Sequence, residues 1–247
     1  MRLLPAGDNA LLVELANLDE VLGYYAALTA DPPEGVVDIV PAAHTVLVTI
    51  ASRSAGSGEG KREGEAPSFR AGTTGRGGAG GGAAAPTAAG RTGTGGRRAL
   101  QQLEAALRDV VPIAGRAGGG ELIEIPVIYD GEDLEDLAGL LGCDVGEVIE
   151  RHTGEEWTVA FCGFSPGFGY LTGRGEWDVP RRKSPRTKVP AGAVGLAGEF
   201  SGVYPRESPG GWQLLGRTDV KIFDQDRDPA ALFHPGRRVR FTDAGRG

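Results

Sequence analysis

The first fifty positions show apolar and polar patterns that predict three strands and one helix. Residues 10–15 form an apolar run of strand length, while residues 36–40 and 45–50 are β-branched runs that a turn at Pro41 would join as a hairpin. Asp19 is predicted to cap the helix. Four residues fall on one face of that helix: Val21, Leu22, Tyr25 and Leu28. This segment therefore predicts a small unit of helix and sheet.

A long tract of small residues then interrupts the apolar pattern. Residues 52–97 consist mainly of Gly, Ala, Ser, Thr and Arg, with Phe69 as the single aromatic residue. Such a composition buries too little apolar surface to offset the entropy of ordering the chain, so we predict a disordered insertion. Gly75, Gly77 and Gly80 match the dinucleotide-binding fingerprint by letter. That fingerprint needs a strand before it and a helix after it, and neither pattern is present.

Apolar periodicity resumes after this tract and predicts a helix followed by a strand-rich part. Residues 100–110 carry apolar residues at helical spacing and end before Pro112. Residues 122–127 alternate as a strand, and helices are predicted at 134–141 and 145–152. Further strands are predicted at residues 158–162, 193–197, 212–215, 220–223 and 239–241. Strands joined by Gly and Pro turns, with few helices, favour a closed or nearly closed β-barrel.

These patterns predict an α+β protein with two domains. At 247 residues the chain is long enough to bury two cores. We expect an N-terminal α+β domain at residues 1–115, interrupted by the insertion at 52–97. A β-barrel domain is expected at residues 120–247.

Charge is unevenly distributed along the chain. Residues 121–156 hold 12 Asp and Glu and one Arg, whereas residues 157–247 hold 14 Lys and Arg and 9 Asp and Glu. This asymmetry fits a basic pocket or an interface between unlike surfaces, and it equally fits solvated helix faces followed by ordinary loops. The net charge of −7 disfavours a general nucleic-acid-binding protein.

Several features favour a cytoplasmic protein without a membrane partner. The two cysteines make neither a disulfide framework nor a metal cluster. Asp8 and Glu14 interrupt the apolar N-terminal stretch, so no signal peptide is expected, and no run reaches the roughly 18 apolar residues of a membrane span. His44 and His234 lie in turn-like contexts without acidic residues at ligand spacing, so no metal site is predicted.

Three residues raise the question of nucleophilic or acid–base chemistry. Residues 163–167 match the G-x-S-x-G nucleophile elbow, but Ser165 is followed by Pro166. Since proline has no N–H to donate to an oxyanion, we interpret this segment as a tight binding turn. Cys162 lies in an apolar alternation and is interpreted as a buried structural thiol. His152 ends a predicted helix, where it either complements the helix dipole or takes part in a site.

Cations cluster before one predicted strand. Five occur within eight positions without an acidic residue: Arg181, Arg182, Lys183, Arg186 and Lys188. Arg206 and Arg217 flank a glycine-rich turn at residues 208–213. Arginine at such turns suits bidentate capture of a carboxylate or phosphate, so we predict an anionic ligand. Gln213 could bind an amide, and three aromatic residues could wall the pocket: Tyr170, Tyr204 and Trp212. We expect these turns to converge into a single positively lined cavity.

Three clusters rich in glycine, proline and arginine resemble one protein family. They are FCGFSPGFGYLTG at residues 161–173, PRRKSPRTKVPAGAVGLAG at 180–198 and YPRESPGGWQLLGRTDVKIFD at 204–224. With residues 1–15 and 36–48, they resemble the B-type subunit of 5-oxoprolinase, also called allophanate hydrolase subunit 1. That family includes a bacterial inhibitor of a sporulation kinase. The resemblance covers nearly all of the chain except residues 52–97. This family commonly has a small non-nucleophilic residue where this chain has Ser165.

The resemblance implies a small α/β sandwich-like N-terminal domain and a cyclophilin-like β-barrel. It implies that the protein works with two partners. The C-type partner is a homologue with a related barrel, and the A-type partner is a separate protein. Together they would perform the ATP-dependent opening of the 5-oxoproline lactam to glutamate. ATP with Mg²⁺ would be bound by this chain or by one of these partners. Two alternatives stay open. One is a regulatory protein that inhibits a histidine kinase, and the other is a carboxyltransferase-type component of a biotin-dependent urea carboxylase and allophanate hydrolase system.

Site residues are predicted from the motif positions. The predicted catalytic residues are Arg186, His152 and Gln213. The predicted substrate-binding residues are Phe164, Gly167, Tyr170, Lys188, Tyr204, Arg206, Gly211, Trp212 and Arg217. Cations near the carbonyl stabilise the charge that develops during hydrolysis, so no metal ligand is predicted in this chain.

Overall fold

The structure, a computed structural model, describes residues 1–51, 94–113 and 121–245. Most of the predicted disordered insertion, residues 52–93, lies outside the described residues. Its last positions are helical, because a helix begins at Thr94. The predicted boundary between the domains, residues 115–120, also lies outside the described residues, so the domain division stays a prediction.

The N-terminal part is an antiparallel sheet with two helices. Its elements are β1 (Arg2–Pro5), β2 (Ala10–Glu14), α1 (Leu18–Ala30), β3 (Val36–Pro41), β4 (Thr45–Ile50) and α2 (Thr94–Asp109). The sheet order is β1-β2-β4-β3, so the predicted hairpin of β3 and β4 is confirmed. Alternate residues of β4 are buried, namely Val46, Val48 and Ile50. This alternation is the period-two pattern that predicted the strand.

Helix α1 differs from the prediction in its cap and in its buried face. The cap is Asn17 rather than Asp19, because the Asn17 side chain accepts a hydrogen bond from Glu20 N at 2.9 Å. Asp19 lies in the first turn, where a negative charge stabilises the helix N-terminus. Tyr24 is fully buried, whereas Tyr25 is only half-buried.

Packing of α1 joins the two helices and both parts of the molecule. The Tyr24 hydroxyl donates a hydrogen bond to Leu107 O in α2 at 2.6 Å. On the same helix, Leu18 and Leu22 pack with Ala160 and Phe161 of the second part in one buried cluster. The N-terminal sheet and helices therefore pack directly against the strand-rich part.

The second part contains two helices and nine strands. They are β5 (Leu122–Val127), α3 (Leu134–Leu141), α4 (Val145–Gly154), β6 (Trp157–Cys162), β7 (Gly169–Thr172), β8 (Arg186–Val189), β9 (Ala193–Ala197), β10 (Phe200–Val203), β11 (Ser208–Gly210), β12 (Gln213–Arg217) and β13 (Arg238–Asp243). Seven strands form one sheet in the order β12-β9-β10-β7-β6-β13-β5, and β8 pairs with β11 in a separate ribbon.

The seven-stranded sheet is nearly closed by hydrogen bonds between its two edges. Ile128, just after β5, donates its N–H to Arg217 O in β12 at 2.9 Å, and Arg217 N donates to Ile128 O at 2.9 Å. This bridge joins the first and last strands of the sheet order. The predicted α+β class with a barrel-like second part is therefore confirmed.

The predicted strand at residues 220–223 is wrong. Only Phe223 forms a bridge there, with Ala231. The Arg227 guanidinium donates hydrogen bonds to Lys221 O at 3.0 Å and to Ile222 O at 3.1 Å. Ile222 is nevertheless buried. The Ile222 carbonyl also accepts a backbone hydrogen bond from Leu232 N at 2.8 Å. The alternating pattern therefore reflects burial of a loop that Arg227 and a few backbone bonds hold, without a continuous strand.

The barrel core is built from large side chains of both helices and most strands. Trp157, Leu171 and Phe241 are among the fully buried residues of this cluster. No helix of the described residues is long and apolar enough to cross a lipid bilayer.

Candidate functional site

A cavity of about 570 Å³ opens between α3 and the segment that precedes β8. Its volume is in the range of small-molecule sites, but it is a shallow depression open to solvent and not an enclosed pocket. Its lining combines one helix, one basic segment and the start of β12: Asp136, Gly139, Leu140, Arg182, Lys183, Ser184 and Gln213. We call it the first cavity.

A buried ion network lies beside the first cavity. Asp133 is only 1% exposed, and its carboxylate accepts hydrogen bonds from Arg182 Nη1 and from Arg186 Nη1 and Nη2, the latter two both at 2.8 Å. It also accepts from Leu214 N at 2.8 Å. We call these contacts the Asp133 network. It fixes the two guanidinium groups, because a buried carboxylate with three donor residues has no freedom to turn.

The Asp133 network also sets the charge of its members. Burial alone would raise the pKa of the Asp133 carboxyl, but the hydrogen bonds from Arg186 and Leu214 N, with the charges of both arginines, lower that pKa below its ordinary value. The hydrogen bond to Asp133 in turn raises the pKa of Arg186. The Asp133 carboxylate and the Arg186 guanidinium are therefore charged at neutral pH.

Gln213 and Lys183 present polar groups to the first cavity. Gln213 is buried, and its Nε2 donates a hydrogen bond to Pro180 O at 3.0 Å. That bond holds the plane of the side-chain amide, so that its oxygen could accept a hydrogen bond from an amide N–H. The exposed Lys183 supplies an ammonium group suited to a carboxylate.

Arg186 and Gln213 therefore lie at or beside the first cavity, but Arg217 does not. Arg217 lines a second cavity of about 340 Å³ with residues that include Ile128 and Asp219. Its Nε donates a hydrogen bond to Asp130 Oδ2 at 2.9 Å. The expectation of one shared cavity is therefore wrong for Arg217, because this residue ends β12 at the seam of the barrel.

His152 lies in the core of the barrel. It is fully buried in α4, with Nδ1 2.7 Å from the Tyr129 hydroxyl and Nε2 2.9 Å from Ser201 Oγ. Its ring stacks on Phe241 at 4.5 Å. Burial lowers the pKa of His152 to about 3, so the ring is neutral and does not complement the helix dipole. Its catalytic role has no support in this geometry, because it reaches neither cavity.

The predicted aromatic wall is an aromatic cluster instead. Tyr204 and Trp212 are buried, and both rings lie 5.4 Å from the Phe168 ring. Tyr170 stacks on Phe161 at 4.4 Å. None of these rings is among the residues that line the first or the second cavity. Their ring contacts hold them in one cluster, and their role in substrate binding stays a prediction.

Residues 163–167 form the predicted tight turn. Ser165 N donates to Gly163 O at 2.7 Å, and Phe168 N donates to Ser165 O at 3.0 Å. Phe164 adopts a φ of 66°, an uncommon value for a residue with a side chain, and is 58% exposed. Gly167 has a φ of 82°, and an added Cβ would lie 2.6 Å from Phe223 Cβ.

The remaining predicted binding residues lie on the surface or at the margin of the first cavity. Lys188 is exposed and pairs with Glu207 at 3.2 Å, and Arg206 is exposed. Gly211 lies at the margin of the first cavity, because its carbonyl accepts a hydrogen bond at 2.8 Å from the backbone N–H of Arg182, which lines that cavity. Lys188 and Arg206 thus contact neither cavity.

Sequence reasoning missed the acidic half of the site. Asp133 and Asp136 were not predicted as site residues, although the uneven charge distribution was the available signal. The acidic stretch at residues 121–156 contributes Asp133 to the buried network and Asp136 to the cavity wall. The two halves of the charge asymmetry therefore meet in the fold.

Comparison with known proteins identifies the family. The sequence model of the carboxyltransferase domain, subdomains C and D, matches residues 1–233. This match covers most of the chain. The chain belongs to the carboxyltransferase domain family.

Proteins that resemble the chain include components of 5-oxoprolinase. The B subunit of 5-oxoprolinase from Escherichia coli O157:H7 is 46% identical over 129 residues, which are 51% of this chain and 59% of that protein. The B subunit of 5-oxoprolinase from Bacillus subtilis is 44% identical over 125 residues, 49% of this chain and 52% of that protein. The matched segment thus spans between half and two thirds of these relatives.

Two solved structures share the carboxyltransferase-domain fold. TTHA0988 superposes with a TM-score of 0.63 and 28% identity over 95% of this chain and 40% of that one. The Kluyveromyces lactis urea amidolyase gives a TM-score of 0.62 with 16% identity, over 98% of this chain and 15% of that one. At that identity, the second similarity shows the fold alone.

The first cavity offers Lys183 as its one lining cation outside the Asp133 network, so ATP with Mg²⁺ in this chain stays a prediction. Arg182 and Arg186 are already bound to Asp133, and Asp136 adds a negative charge to the wall. In the described part of the chain, no group of three or more His, Cys, Asp or Glu residues could hold a metal ion.

Proposed function

We propose that this chain is one component of a 5-oxoprolinase, which opens the lactam of 5-oxoproline to glutamate together with A-type and C-type partner proteins. The observation that carries the proposal is 44–46% identity to two proteins named as the B subunit of 5-oxoprolinase. Because only part of each relative is matched, the activity and the partners are assigned to this chain as proposals.

The first cavity is the proposed place for the small cyclic amide. The substrate carries one carboxylate and one amide, and the cavity offers a cation in Lys183 and an amide in Gln213. Gln213 is held by its hydrogen bond to Pro180 O, which supports a binding role with little loss of side-chain entropy. These groups would bind and orient the lactam.

Arg182 of the Asp133 network would place a fixed cation near the reacting carbonyl, whereas Arg186 also pairs with Glu132. Resonance makes an amide a poor electrophile, and negative charge develops on its oxygen during hydrolysis. Preorganised cations stabilise that charge without reorganising at the moment of reaction. Arg182 fits this role, because Asp133 fixes its guanidinium group and its side chain keeps 32% exposure. ATP, bound by a partner protein, would supply the driving force for ring opening.

The test is glutamate formation from 5-oxoproline and ATP after co-expression of this chain with its A-type and C-type partner homologues. Lys183→Ala is expected to lower turnover or raise KM with normal assembly. Lys221→Ala, which removes another exposed lysine that lines neither of these cavities, is the control. Arg186→Ala is a poor test, because it breaks a buried ion pair. Absence of glutamate formation by the assembled wild-type complex would reject the proposal.

A second candidate is a component of a biotin-dependent carboxyl transfer system. The observation that favours it is the family description itself, the carboxyltransferase domain over residues 1–233. This function requires a biotinylated protein in the same complex. Capture of the tagged chain from its natural host, followed by a streptavidin blot of the complex, distinguishes the two candidates.

A further inference from the structure

The first cavity is lined by side chains of opposite charge. Helix α3 contributes Asp136, and the segment before β8 contributes Arg182 and Lys183. A cavity built only for an anion would not place a carboxylate in its wall, because that carboxylate repels the ligand. The binding of a simple anion therefore does not explain why Asp136 lines this cavity.

The opposite charges do not neutralise each other. The guanidinium groups of Arg182 and Arg186 form salt bridges with Asp133 and not with Asp136. The ion pairs formed within the described ranges include neither Asp136 nor Lys183. Both side chains are exposed to the same cavity. A carboxylate and an ammonium that share a cavity without pairing are suited to a ligand that carries both charges.

We propose that the first cavity binds a free α-amino acid in its dipolar form. Asp136 accepts hydrogen bonds from the ligand's ammonium group, and Lys183 binds its carboxylate. The identity of the ligand rests on the proposed function, under which it is the ring-opened product. Hydrolysis breaks the lactam C–N bond and adds water, so the carbonyl carbon becomes a second carboxylate and the nitrogen becomes an ammonium group.

Ring opening changes the group that faces Asp136. The lactam nitrogen is a neutral amide, whereas the product nitrogen is a cation with three donors. A hydrogen bond to a charged donor is about twice as strong as a neutral one, so Asp136 favours the product over the substrate. The product then competes with the lactam for the cavity, and its accumulation slows turnover.

Isothermal titration of the full 247-residue chain tests this proposal. The probes are L-glutamate, glutarate, which lacks the amine, and 5-oxoproline. The variants are Asp136→Asn, which keeps the shape of the side chain, and Lys183→Met. Glu135→Gln is the matched control, because Glu135 is an exposed acidic neighbour in α3 that does not line the cavity.

L-Glutamate is expected to bind more tightly than glutarate or 5-oxoproline. Asp136→Asn should weaken L-glutamate binding about tenfold, the loss expected for one charge-assisted hydrogen bond, and leave glutarate unchanged or tighter. Lys183→Met should weaken both ligands, and Glu135→Gln neither. Equal binding of L-glutamate and glutarate, or no binding of L-glutamate, would overturn the inference. Because no partner is needed, this outcome is independent of whether the assembled complex shows 5-oxoprolinase activity.

Discussion

Lowering the pH from 7 to 5 should destabilise the protein through one buried histidine. Burial lowers the pKa of His152 to about 3, while its ordinary value is 6.5. Between these values, the unfolded chain binds a proton that the folded chain does not. The stabilisation from a neutral His152 is therefore fully present above pH 6.5 and is lost as the pH falls towards the folded pKa.

The magnitude follows from the binding of one proton. Each pH unit below the unfolded pKa costs about 1.4 kcal/mol, so the fall from pH 7 to pH 5 removes about 2 kcal/mol of unfolding free energy. This value depends little on the folded pKa as long as that pKa lies below 5. The other two histidines, His44 and His234, are exposed and provide internal controls.

Urea unfolding followed by tryptophan fluorescence at pH 7, 6 and 5 measures this dependence. His152→Gln removes the titration but keeps a side chain that can hydrogen-bond to Ser201 Oγ, so its unfolding free energy should change less with pH. His234→Gln should retain the wild-type dependence. If His152→Gln does not fold, NMR of the wild-type imidazoles replaces it, and one ring should stay neutral at pH 5. Protonation of His152 in the folded protein at pH 5, or equal stability at pH 7 and pH 5, would refute the reasoning.

Two further predictions compare matched variants in urea at pH 7. Asp133→Ala should cost about 3–5 kcal/mol because it leaves two guanidinium groups without their buried carboxylate, whereas Asp130→Ala should cost below about 1 kcal/mol because its ion pair is exposed. Similar losses of unfolding free energy in the two variants would contradict the claim that burial makes the Asp133 ion pairs more important for stability. Gly192 has a φ of 81°, and an added Cβ would lie 2.2 Å from Thr218 O, while Gly7 has a φ of 75° and open space around it. Gly192→Ala should therefore destabilise the fold more than Gly7→Ala, and equal stability of the two would show that the backbone relaxes at Gly192.

Strands in which apolar and polar residues alternate regularly could be predicted from the sequence. Strands whose conformation depends mainly on pairing with adjacent strands could not. The predictions at residues 122–127 and 193–197 match β5 and β9. The short β7 and β10 have the sequences GYLT and FSGV, in which glycine weakens the local preference for a strand. They pair with each other and with longer strands on either side. Their conformation therefore depends on tertiary pairing.

The basic side of the site could be predicted, but its geometry could not. Five cations in one short segment are visible in the sequence. Their carboxylate partner, Asp133, lies 53 positions before Arg186, and only the fold brings the two together. His152 was ambiguous for a related reason, because its burial comes from Phe241 and other residues distant in sequence.

The order in which the chain emerges from the ribosome differs from the order of strands around the barrel. Strand β13 comes last, yet it inserts between β5 and β6, parallel to the former and antiparallel to the latter. Both β5 and β6 are therefore synthesised before the strand that pairs with them, and the edges that bind β13 are unpaired until then. Unpaired edges are templates for association with other chains. Insertion of β13 covers both edges at once, so this strand protects β5 and β6 from pairing with other chains.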